Sequence, residues 1–389
     1  MVMSISIERP AFTVFFPLAA TLAAIIIPLS VWAGLTNNSW LPGLRSTGHG
    51  YELIFGFALA LVAGYTLGTQ PTRTLYLLAT LWVLARISHA FFPHNALALI
   101  PPAAFTVWLA SLVVPRFKAA KQWRNKITGP LILTICLIPV AWLLLTLAWR
   151  FSPNIAKSAG LNQLRLLHGG VICLLLLMTF IGGRIIAPGA ATTLGKLGIE
   201  LKARLQPRIE AALIILLGMA IFPLLLPWVP DPLSYRWSGI ALIITAGLLL
   251  IRVLRWQLWR CHMRPDLVAF GIGYVWLAAG AFVTGATFLQ LQPPGAALHL
   301  ITIGGLGTLS TGVMLRLYFQ RSIKSPPAAT WVWLTSGLIA IATVARFISG
   351  THPFTHPQLI SLSALCWSLT YLLLAVQMLR LRRQVWRPR

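Results

Sequence analysis

A chain of 389 residues with 58% hydrophobic and only 10% charged side chains is not a string of soluble domains, which carry about a quarter charged residues. The same balance excludes disorder, a disulfide-stapled scaffold and an outer-membrane barrel, whose strands alternate polar and apolar residues in short segments. The formal charge of +25 would point to nucleic acid in a soluble protein, but the basic residues lie in short loops between apolar runs, so no nucleic-acid partner is expected.

A hydrocarbon core about 30 Å thick takes roughly 20 helical residues to cross. With prolines and glycines as punctuation, the first six predicted spans run Ala11 to Gly34, Gly50 to Leu67, Thr74 to Phe92, Ala96 to Pro115, Gly129 to Trp149 and Leu164 to Ala187. The other six run Ile209 to Trp228, Trp237 to Leu254, Leu267 to Leu289, Ala296 to Leu315, Thr330 to Ser349 and Leu359 to Leu379. No small-residue cleavage site follows the first run, so it is expected to remain as a helix. Connections are short, the longest being about twenty residues after the sixth helix. The expected fold is therefore all-α: one integral membrane domain over residues 1–389, a polytopic bundle of about twelve spanning helices with the lipid bilayer as solvent.

An even number of spans puts both termini on one side. With Arg165, Arg184, Arg252 and Arg346, near helix ends, counted with the loops they adjoin, the termini and the loops after even-numbered helices hold 24 Lys and Arg, the loops after odd-numbered ones 6, and Arg86 lies deeper inside helix 3. By the positive-inside rule both termini are expected in the cytoplasm of a bacterial inner-membrane protein.

That orientation sorts the eight histidines. His49, His89, His94, His168, His299, His352 and His356 fall at the outer face, and His262 alone is cytoplasmic. Imidazole is a common ligand for copper, zinc and haem iron, and such ligands come from facing helices at matched depth. His49, His168 and His299, each opening a helix beside small residues, are candidate metal or cofactor ligands, with His89 next. His94, His352 and His356 sit beside loop prolines and read as interfacial. The cysteines Cys136, Cys173, Cys261 and Cys366 are far apart and suggest neither disulfides nor a thiolate cage.

Glu52 is one of six acidic residues and the one expected within a helix near the outer face, where a carboxylate is costly unless paired or wet. Arg86, on the next helix, is its natural partner. That pair is either structural, or Arg86 holds a haem propionate or another anion while Glu52 orients a ligand imidazole or carries protons. Gly56, Ala60, Gly64 and Gly68, and again Gly304, Thr308 and Gly312, recur every four residues as close-packing seams; a sharper expectation is that they make room for a flat macrocycle below His49 and His299. Arg184 and Arg316 are expected to snorkel to the cytoplasmic surface, and the tryptophans to form belts and packing, without a binding box.

The stretch His49-Gly-Tyr-Glu-Leu-Ile-Phe-Gly-Phe-Ala resembles the opening motif of NnrS-type membrane proteins, usually His-x-His-Glu followed by Phe-Gly-Phe. Ile181-Gly-Gly-Arg-Ile-Ile, Arg255-Trp, Gly273-Tyr-Val-Trp, His299-x-x-Thr-Ile-Gly-x-x-Gly-Thr and Val313-Met-x-Arg resemble later family motifs, in order along the chain. The resemblance implies a twelve-helix inner-membrane protein tied to nitric oxide metabolism, denitrification and nitrosative stress, with haem and copper as cofactors. His49 and His299 are then the implied ligands and Glu52 the motif acid. Three family histidines are replaced: one by Tyr51, one by Gly271, and one near Arg321. Tyr51 offers a phenol of the kind that ligates ferric haem in catalase-like sites.

The leading expectation is a haem-binding membrane protein acting on nitric oxide or another small apolar ligand that concentrates in the bilayer. A secondary transporter, with helices broken at Pro17, Pro28 and Pro223, is a second reading. A non-catalytic partner or assembly subunit of a respiratory oxidase or nitric oxide reductase is a third.

Overall fold

The computed structural model describes residues 8–36, 40–119, 126–152, 162–293 and 295–385. Lys121, Arg124, Lys157, Arg387 and Arg389, counted in the charge asymmetry, lie outside them. Among the described residues the chain forms twelve helices in the expected order. They are α1 (Phe12–Leu35), α2 (Gly48–Tyr51, continuing through Glu52–Ala58 to Leu59–Thr66), α3 (Thr72–Phe91), α4 (Ala96–Lys118), α5 (Thr128–Phe151) and α6 (Gln163–Gly195). The chain goes on as α7 (Pro207–Leu225), α8 (Asp231–Arg255), α9 (Pro265–Phe288), α10 (Ala297–His299, continuing through Leu300–Gly305 to Leu306–Ser322), α11 (Ala329–Ile348) and α12 (Pro357–Val385). Eleven are long and apolar enough to cross a membrane. The exception, α2, is apolar but interrupted: Glu52–Ala58 is π-helical.

Proline was the punctuation of the sequence reading, and here it misleads. Pro17 and Pro28 lie inside continuous α1, and Pro223 inside α7, as the predicted spans have them, so the breaks that the transporter reading places there are absent. In lipid, neighbouring helices and hydroxyl side chains re-satisfy the backbone that a proline frees. Pro188 likewise lies inside α6, where Thr192 donates its hydroxyl to the Pro188 carbonyl at 2.9 Å. The helix therefore runs eight residues past its expected end, and the long loop shrinks accordingly. The real interruptions are π-helical: Glu52–Ala58 in α2 and Leu300–Gly305 in α10. Such turns carry i→i+5 bonds and occur mostly at functional sites. One begins three residues after His49, the other immediately after His299.

Contacts divide the chain into two compact units, residues 1–170 and 171–389, with the boundary inside α6. In the first unit α1 packs on α2, α3 on α4 and α4 on α5. A two-stranded antiparallel ribbon, β1 (Glu8–Pro10) with β2 (Thr69–Pro71), ties the segment before α1 to the connection after α2, with Arg9 opposite Gln70. Arg116 clamps the same corner by donating to the Leu67 carbonyl. In the second unit α7 packs on α8, α8 on α9, α9 on α10, and both α10 and α11 on α12.

Because lipid is as apolar as leucine, these contacts rest on close packing more than on hydrophobic burial. Gly239 of α8 and Gly285 of α9 face each other so closely that a Cβ on Gly285 would lie 2.7 Å from the Gly239 carbonyl oxygen. The seams of α2 and α10 are filled by protein. A Cβ at Gly64 would meet the Phe16 ring at 2.5 Å, one at Gly304 the Trp276 indole at 2.7 Å, and one at Gly312 the Phe270 ring at 2.7 Å. Within each unit these glycines receive side chains of neighbouring helices.

Candidate functional site

The first unit buries a polar cluster where α2 and α3 run side by side. Glu52, the first residue of the π-helical turn, is fully buried. A bare carboxylate there would cost several kcal/mol, and two groups on α3 offset that cost. Arg86 donates from Nη1 to Glu52 Oε2 at 2.9 Å, which is the pair the sequence suggested. His89, three residues on, places Nδ1 2.7 Å from Glu52 Oε1, although off the line of a good hydrogen bond. The carboxylate thus engages Nδ1 of a buried imidazole and leaves Nε2 as the nitrogen available to a ligand, the arrangement that orients metal-binding histidines.

The π-helical turn makes room for this pair. A Cβ at Gly56 would lie 2.8 Å from Arg86 Nη1 and 2.9 Å from its Cδ, so the arginine passes where any other residue's side chain begins. The Gly56 carbonyl accepts the Trp82 indole N–H at 3.0 Å. The Tyr51 ring stacks on His89, centroids 3.9 Å apart and planes 18° apart, with Trp142 of α5 edge-on at 4.9 Å and Phe55 likewise at 4.9 Å. The Arg86 guanidinium carbon is 6.0 Å from the Tyr51 ring centre. Besides His89 Nδ1 and Glu52 Oε1, whose contact is off line, four buried polar atoms of this cluster that can donate have no hydrogen-bond partner: Tyr51 Oη, Trp142 Nε1, and Nε and Nη2 of Arg86. Trp142 was missed by the sequence reading, which treated every tryptophan as belt or packing; its place about two turns before the C-terminal end of α5 was the available signal.

His49 is half-buried one turn before Glu52. His168 is buried on the turn of α6 that packs along α2, flanked by Leu167 at Gly50 and by Gly170 at Ile54 and Phe55. His299 is half-buried in the second unit, directly before the π-helical turn of α10. Each is thus placed within its own unit. His94, His352, His356 and His262 are exposed. Among the described residues no three of His, Cys, Asp and Glu gather as a metal cage. Haem asks less, one or two imidazoles, and an imidazole held by a buried carboxylate is suitable donor chemistry.

The second unit holds two further charge clusters that sequence reasoning passed over. Arg252 of α8, buried, donates to Glu210 of α7 at 2.8 Å and to the Thr179 carbonyl of α6 at 3.3 Å, and lies 5.1 Å from the Trp256 ring centre. The Tyr274 hydroxyl donates to the same Thr179 carbonyl at 2.5 Å, and its ring meets Trp256 edge-on at 5.1 Å. A Cβ at Gly183 would lie 2.3 Å from Arg252 Nη2. Three motifs far apart in sequence, Gly-Gly-Arg, Arg-Trp and Gly-Tyr-Val-Trp, are therefore one packing unit around one guanidinium. Nearby in chain order, Asp266 is buried and accepts two bonds from Arg264, at 2.8 and 2.9 Å, and one from Arg316 at 3.1 Å. Arg316 is thus paired with Asp266 instead of reaching alone to the surface. Burial pushes the Cys261 thiol, in the turn between α8 and α9, above its ordinary pKa.

No curated protein and no solved structure matches the chain. The family described as NnrS protein matches residues 7–389, nearly the whole length, so this twelve-helix protein belongs to the NnrS family.

Proposed function

We propose that the protein acts in nitric oxide metabolism and the nitrosative stress response of a bacterial inner membrane, with both termini cytoplasmic, and that it binds haem through histidines near the outer face. The observation that carries this reading is the Glu52–His89 contact, 2.7 Å between a fully buried carboxylate and an imidazole, on the helix pair that also carries His49. The proposed ligands are His89, whose Nδ1 faces Glu52, and His49 and His299, each beside a π-helical turn, with His168 of α6 as the alternative. Tyr51, stacked on His89 with its hydroxyl buried, packs against the site. When bound, haem iron would supply a coordination site for a small apolar gas that reaches it through lipid. The protein's own part is to fix the imidazole, keep its Nδ1 engaged with Glu52, and exclude water with the Tyr51–Phe55–Trp142 aromatic wall.

The test is an absorption spectrum with metal analysis on the purified protein, His49→Ala and His299→Ala. A Soret band that at least one substitution weakens is the expected result. A colourless, metal-free preparation from haem-sufficient cells overturns the reading, and copper in the analysis would add a second metal to it. Continuous helices at Pro17, Pro28 and Pro223 remove one of the features that suggested a transporter.

A further inference from the structure

We propose that the Tyr51–Arg86–Trp142 cluster is a binding site for a small monovalent oxyanion of the formate, nitrite or nitrate class, reached through a groove at the end of the first unit. The inference stands apart from haem and needs none bound.

The argument starts from unmatched hydrogen-bonding capacity. Buried polar groups are nearly always partnered, and each exception asks for a cause. Here Tyr51 Oη, Trp142 Nε1, Arg86 Nε and Arg86 Nη2 are all buried and without partners, and the Tyr51, Trp142 and Arg86 side chains are 0, 3 and 6% exposed as residues. All four can donate, and the indole and guanidinium nitrogens can do nothing else. A ligand that satisfies them is an acceptor. Arg86 narrows the class further. Its Nη1 is committed to Glu52, and the orphaned pair, Nε with Nη2, is the edge of a guanidinium that grips two oxygens of a planar oxyanion side by side. Glu52 and Arg86 already balance in charge, so each further negative charge carries a burial cost that only the four donors offset, which favours monovalent anions over sulfate or phosphate.

The way in is visible from helical spacing. A groove of about 770 Å³, within the range of ligand sites, is lined by Thr47, His94, Thr146, Trp149, Arg150 and Asn162, among others. Thr47 stands four residues before Tyr51 on the α2 side. Trp142, Thr146 and Trp149 follow one face of α5 at spacings of four and three. By this spacing the groove lies about one helical turn, roughly 5 Å, along α2 and α5 from Tyr51 and Trp142, neither of which lines it, and Arg150 at its wall carries a positive charge that attracts an anion.

The test uses full-length protein in detergent, prepared without added haem, titrated with sodium formate, nitrite and nitrate by isothermal calorimetry at constant ionic strength, with chloride and sulfate as controls. Tyr51→Phe removes one donor and keeps the ring, and because the lost hydroxyl has no partner this variant should fold with an unchanged or higher melting temperature. Trp142→Phe removes the indole N–H together with part of the bicycle, so a modest loss of stability from the smaller ring is expected beside the loss of the donor. Saturable binding of at least one of the three anions, weakened about tenfold by each variant and absent for sulfate, is the expected result. Three outcomes overturn the proposal: no saturable binding by the wild type, equal binding by wild type and both variants, or an effect of the variants on haem loading alone, which would assign these donors to a carboxylate of the macrocycle.

Discussion

Replacing Arg86 with methionine keeps the length of the side chain and removes its charge, leaving Glu52 as a fully buried carboxylate with only His89 beside it. Breaking a buried pair from one side costs about 3–5 kcal/mol, against about 0–1 kcal/mol for an exposed pair. With Arg86 only 6% exposed and Glu52 at 0%, solvent offers little screening, and the single variant should fall near the upper range. Adding Glu52→Gln removes the stranded charge and should recover at least about 2 kcal/mol of that loss, a coupling typical of residues in one buried network. The assay is equilibrium unfolding in mixed micelles followed by circular dichroism, run on wild type, both singles and the double. A cost for Arg86→Met below about 1 kcal/mol, or a double no more stable than that single, would show that Glu52 is wetter than its position implies.

Three other outcomes are expected. Gly183→Ala should push Arg252 off Glu210, since the new Cβ would start 2.3 Å from Nη2; a loss of about 1–3 kcal/mol that a further Arg252→Met barely worsens is checked by the same unfolding assay. Asp266→Asn strips the bidentate acceptor from Arg264 and the partner from Arg316, at about 1–3 kcal/mol; proteolysis of the turn between α8 and α9 should speed up, and an unchanged rate would contradict the clamp. All four cysteines are free and buried, and burial holds the Cys261 thiol above its ordinary pKa. Maleimide should therefore label the native protein poorly at neutral pH, label Cys261 faster as the pH rises, and modify all four after denaturation; rapid native labelling at neutral pH would count against this burial.

Helix number, order and membrane character were legible because hydrophobic run length answers to one constraint, the thickness of the bilayer. The error at the end of α6 has a physical root. Pro188 reads as the end of the sixth span, yet like Pro17, Pro28 and Pro223, which the predicted spans already contain, it lies within a helix, because in lipid a helix has no cheaper alternative. The Glu52–Arg86 pair could be foreseen since both residues belong to one hairpin and a lone buried acid must find a cation. The stacking of Tyr51 on His89, the edge-on Trp142 and the two π-helical turns could not, since each depends on the rotation of helix faces that no local periodicity encodes. The convergence of Gly183, Trp256 and Tyr274 on Arg252 joins segments up to about ninety residues apart, beyond the reach of spacing rules.

Optical titration of the purified, haem-loaded and reduced protein with dissolved nitric oxide tests the proposed function most directly. A saturable shift of the Soret band, weakened in the variant that loses haem, is the expected result. A haem spectrum that nitric oxide leaves unmoved, or one identical in wild type, His49→Ala and His299→Ala, would contradict it.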